Sequence, residues 1–477
     1  MIAERSPSNM ETRALDRHAW RRVCLLLACL IALCFQYAVN GSALGGAWAP
    51  AEIPPDDSRV GAVCLYNTDS RQMLHEKNAD AVIYPAASVK IMTGLLACRS
   101  LEDRLEETVE LTSAVLTGAS GRNMGLVPGE QIKIYDLLAS MICGGYNDAA
   151  CVLAYLCAGS VDAFPEQMNN EAVRLGAVHT TYKNPTGLHD PEMVTTARDT
   201  LLIAHEAMQC ELYMSLVSLH NYTVPATNAS GERSFSNRNL LTSDTGGQYY
   251  NGRCRGMNAG MTDEGGWCVI TLWEHDGASN LCVVMNASDV STGEAIPAYT
   301  YTNRLLSWAG RCYTYQTVLS SEDPLETLPV KKTGTSKSET GIYVPEDLRV
   351  YLPAHINAQT DIALQYHLDG DELTAPLAQG QTVGTLTVIY DGAVVASSPI
   401  IVREAFARNS FLNLLDHMKA YFMSRAFGVT VVVFLIFLIF YLKYSRGPGG
   451  RYTTKQTYVP SRKKNKKYRA LKKSRRI

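Results

Sequence analysis

Lys90 is the residue of this chain best placed to do chemistry. It sits in the run Pro85-Ala86-Ala87-Ser88-Val89-Lys90-Ile91-Met92-Thr93. On an α-helix, residues i and i+3 share a face one turn apart, so the side chain stacked on a lysine amine at 90 belongs to position 87. A serine there would be a hydroxyl nucleophile beside an amine able to activate it. Position 87 is alanine, whose methyl has neither a lone pair nor a labile proton. Ser88 is the neighbouring hydroxyl, but a step of two residues turns it about 200° around the helix from Lys90. Its hydroxyl is expected to point away from the amine.

The elements that must position this run read as a mixed body. Val60 to Tyr66 is short and apolar and runs into Asn67-Thr68-Asp69-Ser70, which predicts a hairpin. Val89–Leu101, Ile134–Cys143 and Ala149–Leu156 have helical spacing; Trp267–Trp273 and Asn280–Met285 are β-rich around Asp276-Gly277, and Tyr301–Trp308 returns to helical spacing. Strands at both ends with helices between predict an α+β domain over residues 52–314. Beyond it the pattern changes. Leu348, Val350 and Leu352 alternate, as do Ile362, Leu364, Tyr366 and Leu368, with Asp-Gly turns at 369–370 and 391–392. That predicts a small β-sandwich over 318–405.

Both ends carry membrane signals. Arg21 and Arg22 precede the apolar stretch Val23–Phe35, and small residues follow at Gly41, Ser42 and Ala43. Residues 1–43 therefore read as a secretory signal peptide cut after Ala43, or as an uncleaved signal anchor. Phe411, Leu414, Leu415, Met418 and Phe422 recur at helical spacing, making 406–424 an amphipathic helix that lies on a membrane or packs on the sandwich. Residues 426–442 hold no charge and are rich in Val, Phe, Ile and Leu, a transmembrane helix at the short limit. The remainder, 443–477, holds 14 Lys or Arg and no acid. It reads as a cytoplasmic tail drawn to anionic lipid. Between the ends, residues 44–442 hold 25 Lys or Arg against 43 Asp or Glu, so the near-neutral whole chain hides an acidic exported body unsuited to nucleic acid. Ten of the 13 cysteines fall in that body. An exported compartment permits pairing, but several lie in apolar runs and most are expected as free buried thiols. No spacing suggests a metal site, and no metal or cofactor is expected.

Eight blocks in order then tie residues 55–405 to a known family. They are Glu76–Asp80, Pro85–Thr93, Met124-Gly125-Leu126 with Pro128-Gly129-Glu130, and Asn147-Asp148-Ala149-Ala150. They continue with Asn184–Leu188, Thr196–Asp199, Asn239-Leu240-Leu241 and Gly260–Glu264. The chain resembles the serine-type D-alanyl-D-alanine carboxypeptidases, the low-molecular-mass penicillin-binding proteins. The resemblance implies a β-lactamase-like domain of antiparallel sheet and helical cluster, then a β-rich domain and a membrane anchor. It also implies an active site of three motifs between sheet and helices.

Each motif departs from the family here. In the first, Ala87 stands where the nucleophilic serine is implied, and Lys90 remains. In the second, Ser-x-Asn has become Gly145-Tyr146-Asn147, removing a proton-relaying hydroxyl. In the third, Lys-Thr-Gly has become Asn258-Ala259-Gly260, removing the cation and hydroxyl that would hold a substrate carboxylate. A literal Lys332-Thr333-Gly334 lies too late in the chain and is expected in a solvated connection. Losing a nucleophilic serine costs on the order of 10⁶ in turnover. The resemblance therefore implies an inactive relative at a bacterial cell membrane, its body outside and its tail inside, binding peptidoglycan stem peptide or a cell-wall synthesis protein. The alternative is an active carboxypeptidase that recruits Ser88 by a helix shift. A sensor that signals through the tail is a third reading.

Overall fold

A computed structural model describes residues 50–116, 118–243, 246–288 and 296–445. The expected signal segment 1–43 and nearly all of the basic tail lie outside the described residues. The strands, in chain order, are β1 (Val60–Asn67), β2 (Gln72–Lys77), β3 (Thr108–Glu110), β4 (Gln131–Lys133), β5 (Asn221–Val224), β6 (Arg233–Ser236), β7 (Cys254–Thr262), β8 (Gly266–His275) and β9 (Ala278–Ala287). They continue as β10 (Tyr313–Leu319), β11 (Glu326–Lys331), β12 (Glu339–Tyr343), β13 (Leu348–Pro353), β14 (Ala363–Leu368), β15 (Leu373–Thr374), β16 (Thr382–Tyr390) and β17 (Ala393–Val402). The helices are α1 (Val89–Leu101), α2 (Ile134–Ile142), α3 (Asn147–Ala158), α4 (Phe164–Arg174), α5 (Ala197–Ala207), α6 (Glu211–Val217), α7 (Leu240–Ser243), α8 (Pro297–Cys312), α9 (Ser410–Phe422) and α10 (Arg425–Ser445).

The site is built on an antiparallel sheet in the order β2-β1-β9-β8-β7. Its strands are apolar on both faces because both are covered. Ala62, Cys64, Ile270 and Val283 enter a core shared with α1, α2, α3 and α5. The alternate residues Val63, Leu65, Val269 and Val284 meet Tyr299, Leu305 and Trp308 of α8. Turn chemistry fixes the register. Asn67 Oδ1 accepts the Ser70 amide at 2.8 Å in the first hairpin. Asp276 and Gly277, both at positive φ, close β8 onto β9 as a two-residue hairpin loop with two left-handed residues requires. The helix α1 is buried almost all round, and this explains why its sequence has so little amphipathic contrast.

The family-like architecture implied above, sheet with helical cluster, then a β-rich region and an apolar C-terminal helix, is the architecture observed. One compact unit holds the residues up to Pro329 together with Glu339–Leu373 and Ala378–Ala405. Within it β10 pairs with β13, and in the larger sheet its strands run β14-β16-β17-β12-β11. Val318, Val350 and Leu352 of the pair pack against Val388 and Val395 of the larger sheet. The boundary expected between 314 and 318 is crossed by β10, because Tyr313 stacks on Tyr351 and both join the α8 side of the first core.

The second unit holds Val330–Ser338, Thr374–Leu377 and the chain from Phe406 onward. It contains Lys332-Thr333-Gly334, which is held by a Thr333–Arg408 bridge and by the Gly334 amide on the Ala407 carbonyl at 2.8 Å. Asn409 caps α9, whose Phe411, Leu414, Leu415 and Met418 are exposed. Phe422 meets Phe427 edge-on as α9 turns into α10.

Candidate active site

The first wall of the site is the approach to α1. Ala86 takes φ +49°, a strained backbone for a residue with a Cβ. It opens a tight turn, Ala86–Ser88, that leads straight into the helix. The turn sends Ala87 and Lys90 into a cleft of about 180 Å³. Ser88 goes elsewhere: its Oγ is buried and donates to the Pro85 carbonyl at 2.7 Å. Lys90 Nζ donates to the Thr186 carbonyl at 2.5 Å. Burial pushes the amine down to about 8, since a low-polarity surrounding disfavours its charged form. The block Asn184–Leu188 exists to deliver that carbonyl. Asn184 Oδ1 accepts the Thr186 and Gly187 amides. Gly187, at φ +80°, lies so close to the Ala86 carbonyl that a Cβ would stand 2.1 Å from its oxygen.

The second wall is the turn between α2 and α3. Gly145 takes φ +74°, and the space before it is lined by the Arg238 side chain, 3.6 Å from where a Cβ would be. Asn147 Nδ2 donates to the Ser120 carbonyl and its amide to the Arg122 carbonyl, both at 2.7 Å. Its Oδ1 is buried without a hydrogen-bond partner among the described residues. Asp148 completes the clamp: its carboxylate accepts the amides of Met124, Gly125 and Leu126 at 3.0–3.1 Å. Asn147 and Asp148 therefore anchor the loop that carries Arg122. That guanidinium donates to the Gly144 carbonyl at 2.8 Å and lies 4.7 Å over the Tyr146 ring.

The third wall is the edge strand β7. Its ladder shifts register between Gly256 and Asn258, and this kink turns Asn258 toward the cleft. Asn258 Oδ1 is buried and also lacks a partner among the described residues. Ala259 and Gly260 complete the lining, with Gly260 pressed against the Ala87 methyl. The thiol of Cys268, on β8, sits beneath and reaches the Gly260 carbonyl at 3.4 Å.

All seven site positions read from the sequence, Ala87, Lys90, Gly145, Asn147, Asn258, Ala259 and Gly260, therefore line one cleft. Sequence reasoning missed Arg122 and Arg238, which line it too. Arg238 lies 5.3 Å over the Trp267 ring, and neither guanidinium forms an ion pair among the described residues. Each stands next to a family block, Met124–Leu126 or Asn239–Leu241, but nothing in the spacing aims it inward. The lining holds three cationic side chains and no Asp or Glu. The arrangement can hold an anion beside two amide oxygens that seek donors. It offers no serine or cysteine to attack a carbonyl.

Comparisons with known proteins match most of the described chain. A family profile described as D-alanyl-D-alanine carboxypeptidase matches residues 50–289, and one described as the C-terminal domain of penicillin-binding protein 5 matches 313–408. The chain is 28% identical over 379 residues to the D-alanyl-D-alanine carboxypeptidase DacC of Escherichia coli, covering 76% of this chain and 87% of that one. It is 25% identical over 356 residues to DacF of Bacillus subtilis, covering 74% and 87%. In fold it resembles penicillin-binding protein 5 of Haemophilus influenzae, with a TM-score of 0.57 at 23% identity, over 75% of this chain and all of that one. It also resembles a peptidoglycan synthesis regulatory factor of Streptococcus pneumoniae, with a TM-score of 0.61 at 19% identity, over 74% and 100%.

Proposed function

We propose, from the premise that this chain belongs to the D-alanyl-D-alanine carboxypeptidase family, that it is a membrane-anchored member that binds peptidoglycan stem peptide without cleaving it. The observation that carries the reading is Ala87, set in the cleft beside Lys90 where a hydrolase of this family would need its serine. Ser88 is no substitute, because its hydroxyl is spent on the Pro85 carbonyl behind the cleft. The peptide carboxylate would lie against Arg122 and Arg238, a charge-assisted contact, and its amides against the oxygens of Asn147 and Asn258. Binding a wall-synthesis protein through the same body is compatible with this role.

The anchor reading rests on α10, a helix of 21 residues whose long apolar stretch is left unburied. At 1.5 Å per residue it reaches about 32 Å, enough to cross a bilayer core. Beside it α9 exposes an apolar stripe suited to the interface. The main body would then lie outside the cell membrane and the basic tail inside, against anionic lipid.

The test uses the full-length protein in detergent. It is expected to release no D-alanine from a peptide ending in D-Ala-D-Ala and to form no adduct with fluorescent penicillin. Calorimetry is expected to detect that peptide, and its C-terminal amide should bind about 10-fold to 100-fold more weakly, the range for losing a charged hydrogen bond. A penicillin adduct mapped to Ser88 would establish the active alternative. Failure of both peptides to bind would leave the body as a protein-docking fold.

A further inference from the structure

A pair of thiols behind the cleft has no part in the binding reading. Gly94 on α1 lies against α6, so close that a Cβ there would meet the Tyr213 ring at 2.8 Å. One turn further along α1 is Cys98, and three residues before Tyr213 is Cys210, at the N-cap of α6. The close approach of the two helices brings these two side chains within hydrogen-bond reach of each other. Cys98 is buried at 1% exposure, whereas Cys210 is partly open to solvent. The Cys98 thiol beside it, then the Tyr213 amide and the Arg99 guanidinium, favour the thiolate of Cys210 and hold it below the usual thiol range. It is the exposed, thiolate-forming member, and Cys98 is the buried member placed to resolve it.

We propose that Cys98 and Cys210 form a reversible disulfide by thiol–disulfide exchange, clamping α1 to α6. The Cys210 thiolate attacks one sulfur of a small disulfide such as oxidised glutathione, and the first glutathione thiolate leaves. Cys98, losing its proton, attacks Cys210 in the mixed disulfide and expels the second. The two protein thiols are oxidised, the oxidant is reduced to two thiols, and the two protons end on them. The clamp bears on the cleft: Tyr213, on α6, donates its hydroxyl to the Met257 carbonyl at 3.0 Å, next to Asn258. Oxidation would therefore tie the helix that begins at the first motif to the helix that holds the third.

The full-length protein in detergent is equilibrated with oxidised and reduced glutathione, alkylated in denaturant and mapped by mass spectrometry. The expected product is a Cys98–Cys210 cross-linked peptide, lighter by two hydrogens, that dithiothreitol returns to two alkylated thiols. The bond should persist in a Cys157→Ser variant, which removes the neighbouring thiol. Oxidation should raise the thermal midpoint of the wild type and leave that of Cys210→Ser unchanged. Both cysteines still alkylated in the oxidised wild type, separate glutathione adducts on each, or pairing of either with Cys157 would overturn the proposal. The wild-type map decides this whether or not Cys210→Ser folds, and it is independent of peptide binding.

Discussion

Ala87 and Gly260 press together across the floor of the cleft: a Cβ built on Gly260 would stand 2.6 Å from that of Ala87. The turn that leads into α1 and the edge strand β7 meet closely at these two small residues. Gly260→Ala should therefore push β7 away from the turn before α1, at a cost of about 1–3 kcal/mol, the range for overpacking. A urea midpoint unchanged from wild type would show that this contact is slack.

Ala87→Ser restores a hydroxyl on the face of Lys90, in the cleft rather than behind it. The variant is expected to form a penicillin adduct on a labelling gel, and Ala87→Ser with Lys90→Ala is expected to form none. Turnover should stay far below that of a working hydrolase, because Gly145 and Ala259 bring no hydroxyl and Asn258 no cation to the cleft. An unlabelled Ala87→Ser would mean that the cleft has closed to the ligand.

Gly145→Ser would not rebuild the second motif. At φ +74° a residue with a Cβ is strained by about 1–2 kcal/mol, and Arg238 lies just beyond where the new side chain would start. Adding it to Ala87→Ser should lower the thermal midpoint and leave penicillin labelling no faster.

Lys90 should leave a mark on stability as pH changes. Burial lowers its folded pKa to about 8, below the unfolded value. Between the two values the unfolded chain holds more protons, so the contribution of Lys90 rises with pH from about 8 and levels off near 10. Below pH 8 both states are protonated and the burial penalty, about 3 kcal/mol, is constant. Relative to Lys90→Met, the wild type should gain stability as pH climbs from 8 to 10; parallel urea midpoints over that range would refute it.

Asp148 is buried and accepts three amides of the loop behind Arg122. Asp148→Ala orphans those donors and should cost roughly 3 kcal/mol or more. In a variant that still folds, affinity for the stem-peptide mimic should drop as Arg122 loses its footing. Undiminished affinity would show that Arg122 is held by Tyr146 and Gly144 alone.

The chain announced its fold by local rules. Asp276-Gly277 closes a hairpin, apolar residues on both sides of β1 and β9 require a sheet covered on both faces, and 21 uncharged or flanking residues make α10. The turn of Ser88 away from Lys90 was also legible, because helical geometry alone sets it. Other features depended on contacts distant in sequence. Arg122 and Arg238 enter the cleft because Asp148 and Asn147 hold one loop and the Cys143 carbonyl holds the Arg238 amide at 2.8 Å. Cys98 and Cys210 meet because Gly94 lets Tyr213 approach. A side chain's type and helical phase are written in the neighbouring residues. Which distant side chain faces it across a packed interface is set only when the whole core closes, so the positions 87, 145 and 258–259 could be read from the sequence and the arginines that line the cleft beside them could not.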